Sequence, residues 1–238
     1  MPLPFLAFLT VAFFAESIGT ITGFGATTIL VPLSALFIPL KEAIVLVSLF
    51  HFFGTLWRTI AFRRGINWQV AITFGFPSLL FSSIGALLLP ATPIELLSKI
   101  LGIILIIYAI YSLFKHRVVL PQNPIVLGLG GSVVGFLAGL IGTAGALRGA
   151  FLSSWNLDKN VYLGTGAVMG LGADLARVLV YKQSGLINLD IISVVILAAV
   201  ALLGTLFGKK IVTAAKQEVF MKVVFIALIL SGVRFLFS

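Results

Sequence analysis

The chain has 238 residues, 60% of them hydrophobic and only 10% charged, with a mean hydropathy of +1.20. That balance excludes a soluble domain, and apolar runs of about 20 residues recurring from end to end describe an all-α polytopic membrane protein. The 16 lysines and arginines, against seven acidic residues, stand singly or in pairs at segment ends, which suits anionic lipid headgroups and a small anionic substrate and excludes nucleic acid.

The opening run MPLPFLAFLTV carries no Lys or Arg, makes a poor signal peptide and is expected to belong to the first segment. That first stretch, Leu3 to Leu40, is too long for one perpendicular helix. Within it, Glu16 to Pro32 reads ESIGTITGFGATTILVP, with Gly19, Gly23 and Gly25 among Thr20, Thr22, Thr27 and Thr28. Glycine lets the backbone turn or approach a partner closely, and proline cannot extend the ladder behind it. Non-helical backbone in a bilayer is tolerated only against protein or a watery cavity, and broken helices place free N–H or C=O groups at transporter sites. Tight packing through small residues is the rival reading.

After a turn at Lys41 and Glu42 comes a second segment, Ala43 to Phe62, with His51, Gly54 and Arg58 inside it. Arg63, Arg64 and Gly65 form a polar turn, and Trp68 sits where an interfacial aromatic is expected. The third segment, Val70 to Leu89, holds Pro77 and is expected to kink there; the fourth, Leu96 to Phe114, is simple and apolar. Lys115, His116 and Arg117 mark an interface, and residues 118–124 read as a joint, because the pattern then restarts. The fifth stretch, Ile125 to Trp155, is again over-long and glycine-broken. The sixth, Val161 to Tyr181, contains Asp174 and Arg177. A seventh, Ile191 to Phe207, a basic turn at Lys209, Lys210 and Lys216, and an eighth, Phe220 to Phe237, complete the chain.

At a constant offset of 119, Gly23 falls on Gly142, Arg58 on Arg177, Phe62 on Tyr181, Arg63 on Lys182 and Gly85 on Gly204. The expectation is an internal duplication, 1–119 and 120–238, with about four hydrophobic segments per half and a glycine-broken first segment in each, as in many secondary transporters. With eight simple crossings, Lys and Arg divide six against six between the two sides, so the positive-inside rule does not choose an orientation. Four crossings per half make the repeats parallel. If the broken first stretches dip in and return, the repeats are inverted, and the over-long stretches are explained as well.

Ionisable residues deep in the membrane are site candidates. For Arg58 and Arg177 the readings are anion contact, snorkelling to headgroups, or structural pairing. Asp174, three residues before Arg177 on the same helical face, is placed for a salt bridge. Arg148 is the only charge between Arg117 and Asp158. A guanidinium beside free helix-end N–H groups makes a good carboxylate or sulfonate receptor; the rival is a side chain already in water near Asn156. Glu16 is a candidate proton-coupling group, a cap for a half-helix N-terminus, or a partner for an arginine. His51 is either a satisfied core histidine or a proton relay. An enzyme reading fares poorly. Cysteine is absent, His51 and His116 are 65 residues apart, no nucleotide-binding loop is present, and no metal or cofactor is expected.

These residues resemble the sulfite exporter TauE/SafE family of membrane anion transporters, whose members show a segment of roughly GxGGGxxxxP in each half. Gly23 to Pro32, GFGATTILVP, keeps the first, third and last positions. Gly142 to Phe151, GTAGALRGAF, keeps the first glycine and lacks the proline. The resemblance covers essentially the whole chain. It implies a secondary carrier or facilitator for sulfite, sulfoacetate, other sulfonates or small carboxylates in a bacterial inner membrane. Gly23, Gly25 and Pro32 would line one half-site and Gly142 the other. Ala26, Thr27, Ala144 and Ala146 replace family glycines, with Arg148 just beyond, so the substrate is not inherited with the resemblance. The expected mechanism is alternating access, with Arg148 and one repeat-related arginine supplying charge, and with proton coupling through Glu16 optional. An uncoupled channel is one alternative; a structural membrane protein whose arginines merely snorkel is another.

Overall fold

The computed structural model describes residues 3–23, 25–113, 121, 123–153, 155, 157–211 and 228–237, and among them there is no strand. The helices are α1 (Leu3–Thr22), α2 (Thr27–Ser34), α3 (Leu40–Ala61), α4 (Trp68–Leu88), α5 (Ile94–Leu113), α6 (Pro124–Ile141), α7 (Gly145–Ser153), α8 (Lys159–Gln183) and α9 (Ile191–Ile211). Residues 228–236 are also helical. Lys115, His116, Arg117, Lys216 and the first part of the expected eighth segment lie outside the described residues. Six of the helices, α1, α3, α4, α6, α8 and α9, are long and apolar enough to cross a membrane. Apolar side chains point outward from α4 at Ile72, Phe76, Leu80, Ile84 and Leu87, spaced to form one continuous face. In water such a face would be a liability; in a bilayer it is the lipid contact.

Local sequence sets the ends. Asn67 accepts a hydrogen bond from the Val70 N–H at 3.1 Å and caps α4, and Asn123 does the same for α6 from Val126 at 2.8 Å, with Pro124 opening the helix. Each over-long stretch is two helices. The first parts at Gly23 and Gly25, with φ of 77° and 85°, and the second at Gly142, with φ of 74°. These are left-handed backbone positions that side-chain-bearing residues rarely adopt. Pro77 lies inside α4, which runs on through it.

Contacts between helices give their directions. Pro4, Ile38, Glu42 and Ile187 line one cleft, of about 420 Å³, which marks one end of the molecule. Phe62, Arg63, Asp158 and Lys209 line another, of about 620 Å³, at the opposite end. Thus α1, α3 and α9 start at the first end, and α4 and α8 at the second. In α6, Gly131, Gly135 and Gly139 lie in turn against the backbone of Phe74, Ser78 and Ser82, so α6 runs parallel to α4 from the second end. Those glycines leave no Cβ between the two helices, the close approach by which membrane helices gain packing energy. The α1–α2 pair therefore enters and leaves at the first end, and α6–α7 enters and leaves at the second. The first and fifth stretches dip and return.

Candidate functional site

The two helix breaks meet inside the bundle. Thr143, in the α6–α7 break, reaches the hydroxyls of Thr27 and Thr28 at 3.4 and 3.5 Å, so the N-terminal ends of α2 and α7 face a common region. Ala26, the residue before α2, offers no side-chain cap, and the first N–H groups of a helix have no partner within it. The two short helices thus turn their positive ends inward.

Arg148, on α7, lies across this region and is only 6% exposed. Its Nη2 is 3.3 Å from where a Cβ on Gly25 would sit, and its Nη1 lies directly over Gly170. Either glycine would displace it if it carried a side chain. The Arg148 Nε is buried with no hydrogen-bond partner, and among the described residues no carboxylate pairs with its guanidinium. A small cavity beside it is lined by Thr27, His51, Gly142, Gly145, Asp174 and Arg177, among others. Its free volume of about 10 Å³ has room for a single water at most.

The other buried ionisable groups form a chain that crosses both halves of the sequence. Glu16 Oε1 lies 3.3 Å from Arg58 Nε, and the same oxygen accepts hydrogen bonds from Thr205 at 3.1 Å and Thr20 at 3.4 Å. Arg58 Nη2 is 3.0 Å from His51 Nε2, and His51 Nδ1 is 2.7 Å from Asp174 Oδ2. Thr55 donates to that oxygen at 2.9 Å, while Asp174 Oδ1 pairs with Arg177 Nη2 at 2.7 Å. Arg177 Nη1 then donates to the carbonyls of Ala138 and Gly142 at 3.0 and 2.9 Å, holding the C-terminal end of α6. The Tyr181 hydroxyl donates to Gly139 O nearby.

Glu16, Gly25, Thr27, His51, Arg58, Gly142, Arg148, Asp174 and Arg177 lie within or beside this centre, but in different circumstances. Arg58 and Arg177 are 4% and 1% exposed, so neither snorkels; each is held by a carboxylate. The expected Asp174–Arg177 pair is present. Glu16 is inside α1 and pairs with Arg58, so it has no helix start to cap. Its carboxylate lies over Gly54, with Gly204 against its Cβ, and its Oε2 has no partner. Arg148 is buried away from bulk water. Gly23 faces Tyr162 and Leu163, Gly25 faces His51 and Arg148, and Gly142 faces Ile44. Thr55, Thr143, Thr205 and Gly170 were not expected. Thr55 carries a signal that identifies it: the offset of 119 places it on Asp174, the residue it bonds. Among the described residues no group of three His, Cys, Asp or Glu side chains is arranged to hold a metal.

Three buried guanidinium groups therefore face two buried carboxylates. With His51 neutral and both carboxylates ionised, one positive charge is left over among the described residues, and Arg148 is the guanidinium with no carboxylate against it there. Burying an uncompensated charge costs several kcal/mol (roughly, after relaxation), so such a group persists where something else meets it.

A sequence model of the family described as "Sulfite exporter TauE/SafE" matches residues 8–235. No curated protein and no solved structure matches the chain.

Proposed function

The chain belongs to the sulfite exporter TauE/SafE family, a family of membrane transporters, and from that premise we propose that it is a secondary carrier for a small oxyanion of the sulfite, sulfonate or carboxylate class. The observation that carries this reading is Arg148: a buried guanidinium with no carboxylate paired to it among the described residues, set where two half-helix N-termini converge. A planar fork of donors beside free N–H groups matches an oxyanion in both charge and geometry. Arg148 supplies the charge, Thr27 and Thr143 supply hydroxyl donors, and Gly25 and Gly142 let backbone approach the anion. Arg58 and Arg177, already paired, hold the site's shape and its potential.

The carrier is built from two inverted repeats, 1–119 and 120–238, with the anion between them. Support comes from contacts that exchange under the offset of 119. Gly23 packs on Leu163, and their counterparts, Gly142 and Ile44, pack on each other with the roles swapped. One broken hairpin enters from each end. Such a pair of hairpins is suited to alternating access, with the site opening first to one side and then to the other. The cavity at Arg148 is too small for any oxyanion, which favours a carrier caught closed over an open facilitator. The helical, lipid-faced bundle suits a bacterial inner membrane, since outer membranes take barrels.

The test is uptake of labelled sulfite, methanesulfonate and acetate into proteoliposomes, with and without a pH gradient. Saturable uptake of one of these, with trans-stimulation by the same anion, supports a carrier. Flux that rises linearly with concentration and shows no trans-stimulation identifies a facilitator. No flux above empty vesicles, for any of the three, overturns the reading.

A further inference from the structure

Arg58 fixes the protonation state of His51. A guanidinium only donates hydrogen bonds, so the 3.0 Å contact between Arg58 Nη2 and His51 Nε2 requires that nitrogen to accept. The single ring proton is then on Nδ1, donated to Asp174 Oδ2 at 2.7 Å. A second proton on the ring would go to Nε2 and meet the Arg58 N–H directly. Arg58 would have to leave, and a destination is ready: Glu16, already 3.3 Å away through Oε1, has its buried Oε2 unpartnered.

The same Nε2 looks onto the helix break. A Cβ on Gly25 would fall 2.8 Å from His51 Nε2 and 3.3 Å from Arg148 Nη2, so the ring and the Arg148 guanidinium both close on the α1–α2 break. Charged and titratable groups around His51 are Arg58 from its own helix and Asp174 and Arg177 from α8, with Glu16 of α1 behind Arg58 and Arg148 of α7 at the same helix break. The Asp174 carboxylate attracts a positive ring, whereas the Arg58 and Arg177 guanidinium groups repel one. An anion held at Arg148 places a negative charge at the same helix break and so favours a positive ring.

We propose that His51 is the proton-coupling residue of this carrier, taking up a proton when the anion binds at Arg148 and handing Arg58 from the imidazole to Glu16 as it does so. This rests on the anion-site reading above. Linkage makes it reciprocal: the anion favours the proton by the same factor by which the proton favours the anion. The coupled movement would be anion and proton together, in the same direction.

The experiment is calorimetric titration of the full-length protein in lipid nanodiscs with methanesulfonate, an anion that is ionised throughout the neutral range and brings no proton of its own. Titrations in two buffers of different ionisation enthalpy give the protons taken up per anion. About one proton per anion is expected near neutral pH, and whatever anion binding remains in His51→Gln, which keeps a hydrogen-bonding side chain, should proceed with no proton uptake. Nitrogen NMR of histidine-labelled protein without anion should show the Nδ1–H tautomer at His51, with His116→Gln giving the assignment, and needs no variant at the site. Binding with no buffer dependence, uptake that survives His51→Gln, or an Nε2–H tautomer each overturns the proton-coupling proposal and leaves the anion site standing. If neither methanesulfonate nor sulfite binds, both readings fall.

Discussion

Thr55 and Asp174 are joined by a 2.9 Å hydrogen bond between residues 119 apart, the separation that also relates Gly23 to Gly142 and Arg58 to Arg177. Two positions 119 apart thus touch at the centre of the bundle, yet one is a hydroxyl and the other a carboxylate. His51 has Gly170 as its counterpart, and Glu16 has Gly135. The ionisable groups of the centre come from both parts of the sequence: residues 1–119 bring Glu16, His51 and Arg58, and residues 120–238 bring Arg148, Asp174 and Arg177.

Asp174 has three side-chain partners and should be the residue whose loss the fold feels most. Asp174→Asn strips the negative charge that His51 and Arg177 both face. Removing one side of a buried ion pair costs about 3–5 kcal/mol. Thr55→Val, which deletes one neutral donor to the same carboxylate, should cost about 1–2 kcal/mol. Thermal unfolding in detergent should rank the two variants in that order.

Arg148 should behave in the opposite way. Arg148→Met removes a buried guanidinium that has no carboxylate and whose Nε has no partner, and a flexible apolar chain fills its space. Stability should hold or rise by about 1 kcal/mol, since replacing a poorly paired buried charge by apolar volume is commonly neutral or favourable. Anion binding should vanish. A variant equally or more stable and inactive marks a group kept for function.

Two glycines with left-handed backbone separate strain from site geometry. Gly185, with φ of 71°, has open space where a Cβ would sit, whereas Gly25, with φ of 85°, has His51 and Arg148 there. Gly185→Ala should cost about 1–2 kcal/mol from backbone strain alone and leave transport intact. Gly25→Ala should carry the same strain and also abolish anion binding, measured on the folded fraction.

Within α6, two glycine-to-alanine changes should differ in sign. Gly128 has nothing within 4 Å of a built Cβ, so Gly128→Ala should gain about 1 kcal/mol from helix propensity. At Gly139 the new methyl would meet the Ser82 carbonyl and the Ala86 nitrogen in α4. Neither backbone can yield, and Gly139→Ala should push the helices apart, lowering the unfolding temperature.

Much of the plan was legible in the sequence because membrane folds write it in composition. Over-long apolar stretches broken by glycine marked where the helix breaks fall, while crossing and dipping both stayed open, and the offset of 119 set Arg58 against Arg177. What stayed hidden was which arginine is free. Arg58, Arg148 and Arg177 all read as intramembrane cations, and only three-dimensional neighbours distinguish them. Glu16 reaches Arg58 across 42 residues of sequence, and Arg177 serves the carbonyls of a helix more than 30 residues upstream. Such partnerships depend on helix rotation and depth, which hydropathy does not encode. The same limit left open whether Glu16 capped a helix or paired with an arginine.

The central claim is that the unpaired guanidinium of Arg148 is the anion receptor, and counterflow tests it most directly. Proteoliposomes loaded with unlabelled sulfite would be diluted into labelled sulfite, with wild type, Arg148→Met and Arg148→Lys compared at equal folded protein. Wild type should accumulate label transiently, Arg148→Met should match empty vesicles, and Arg148→Lys, which keeps the charge and loses the planar fork, should need several-fold more sulfite. Counterflow in Arg148→Met at the wild-type rate would contradict the account and place the anion elsewhere in the bundle.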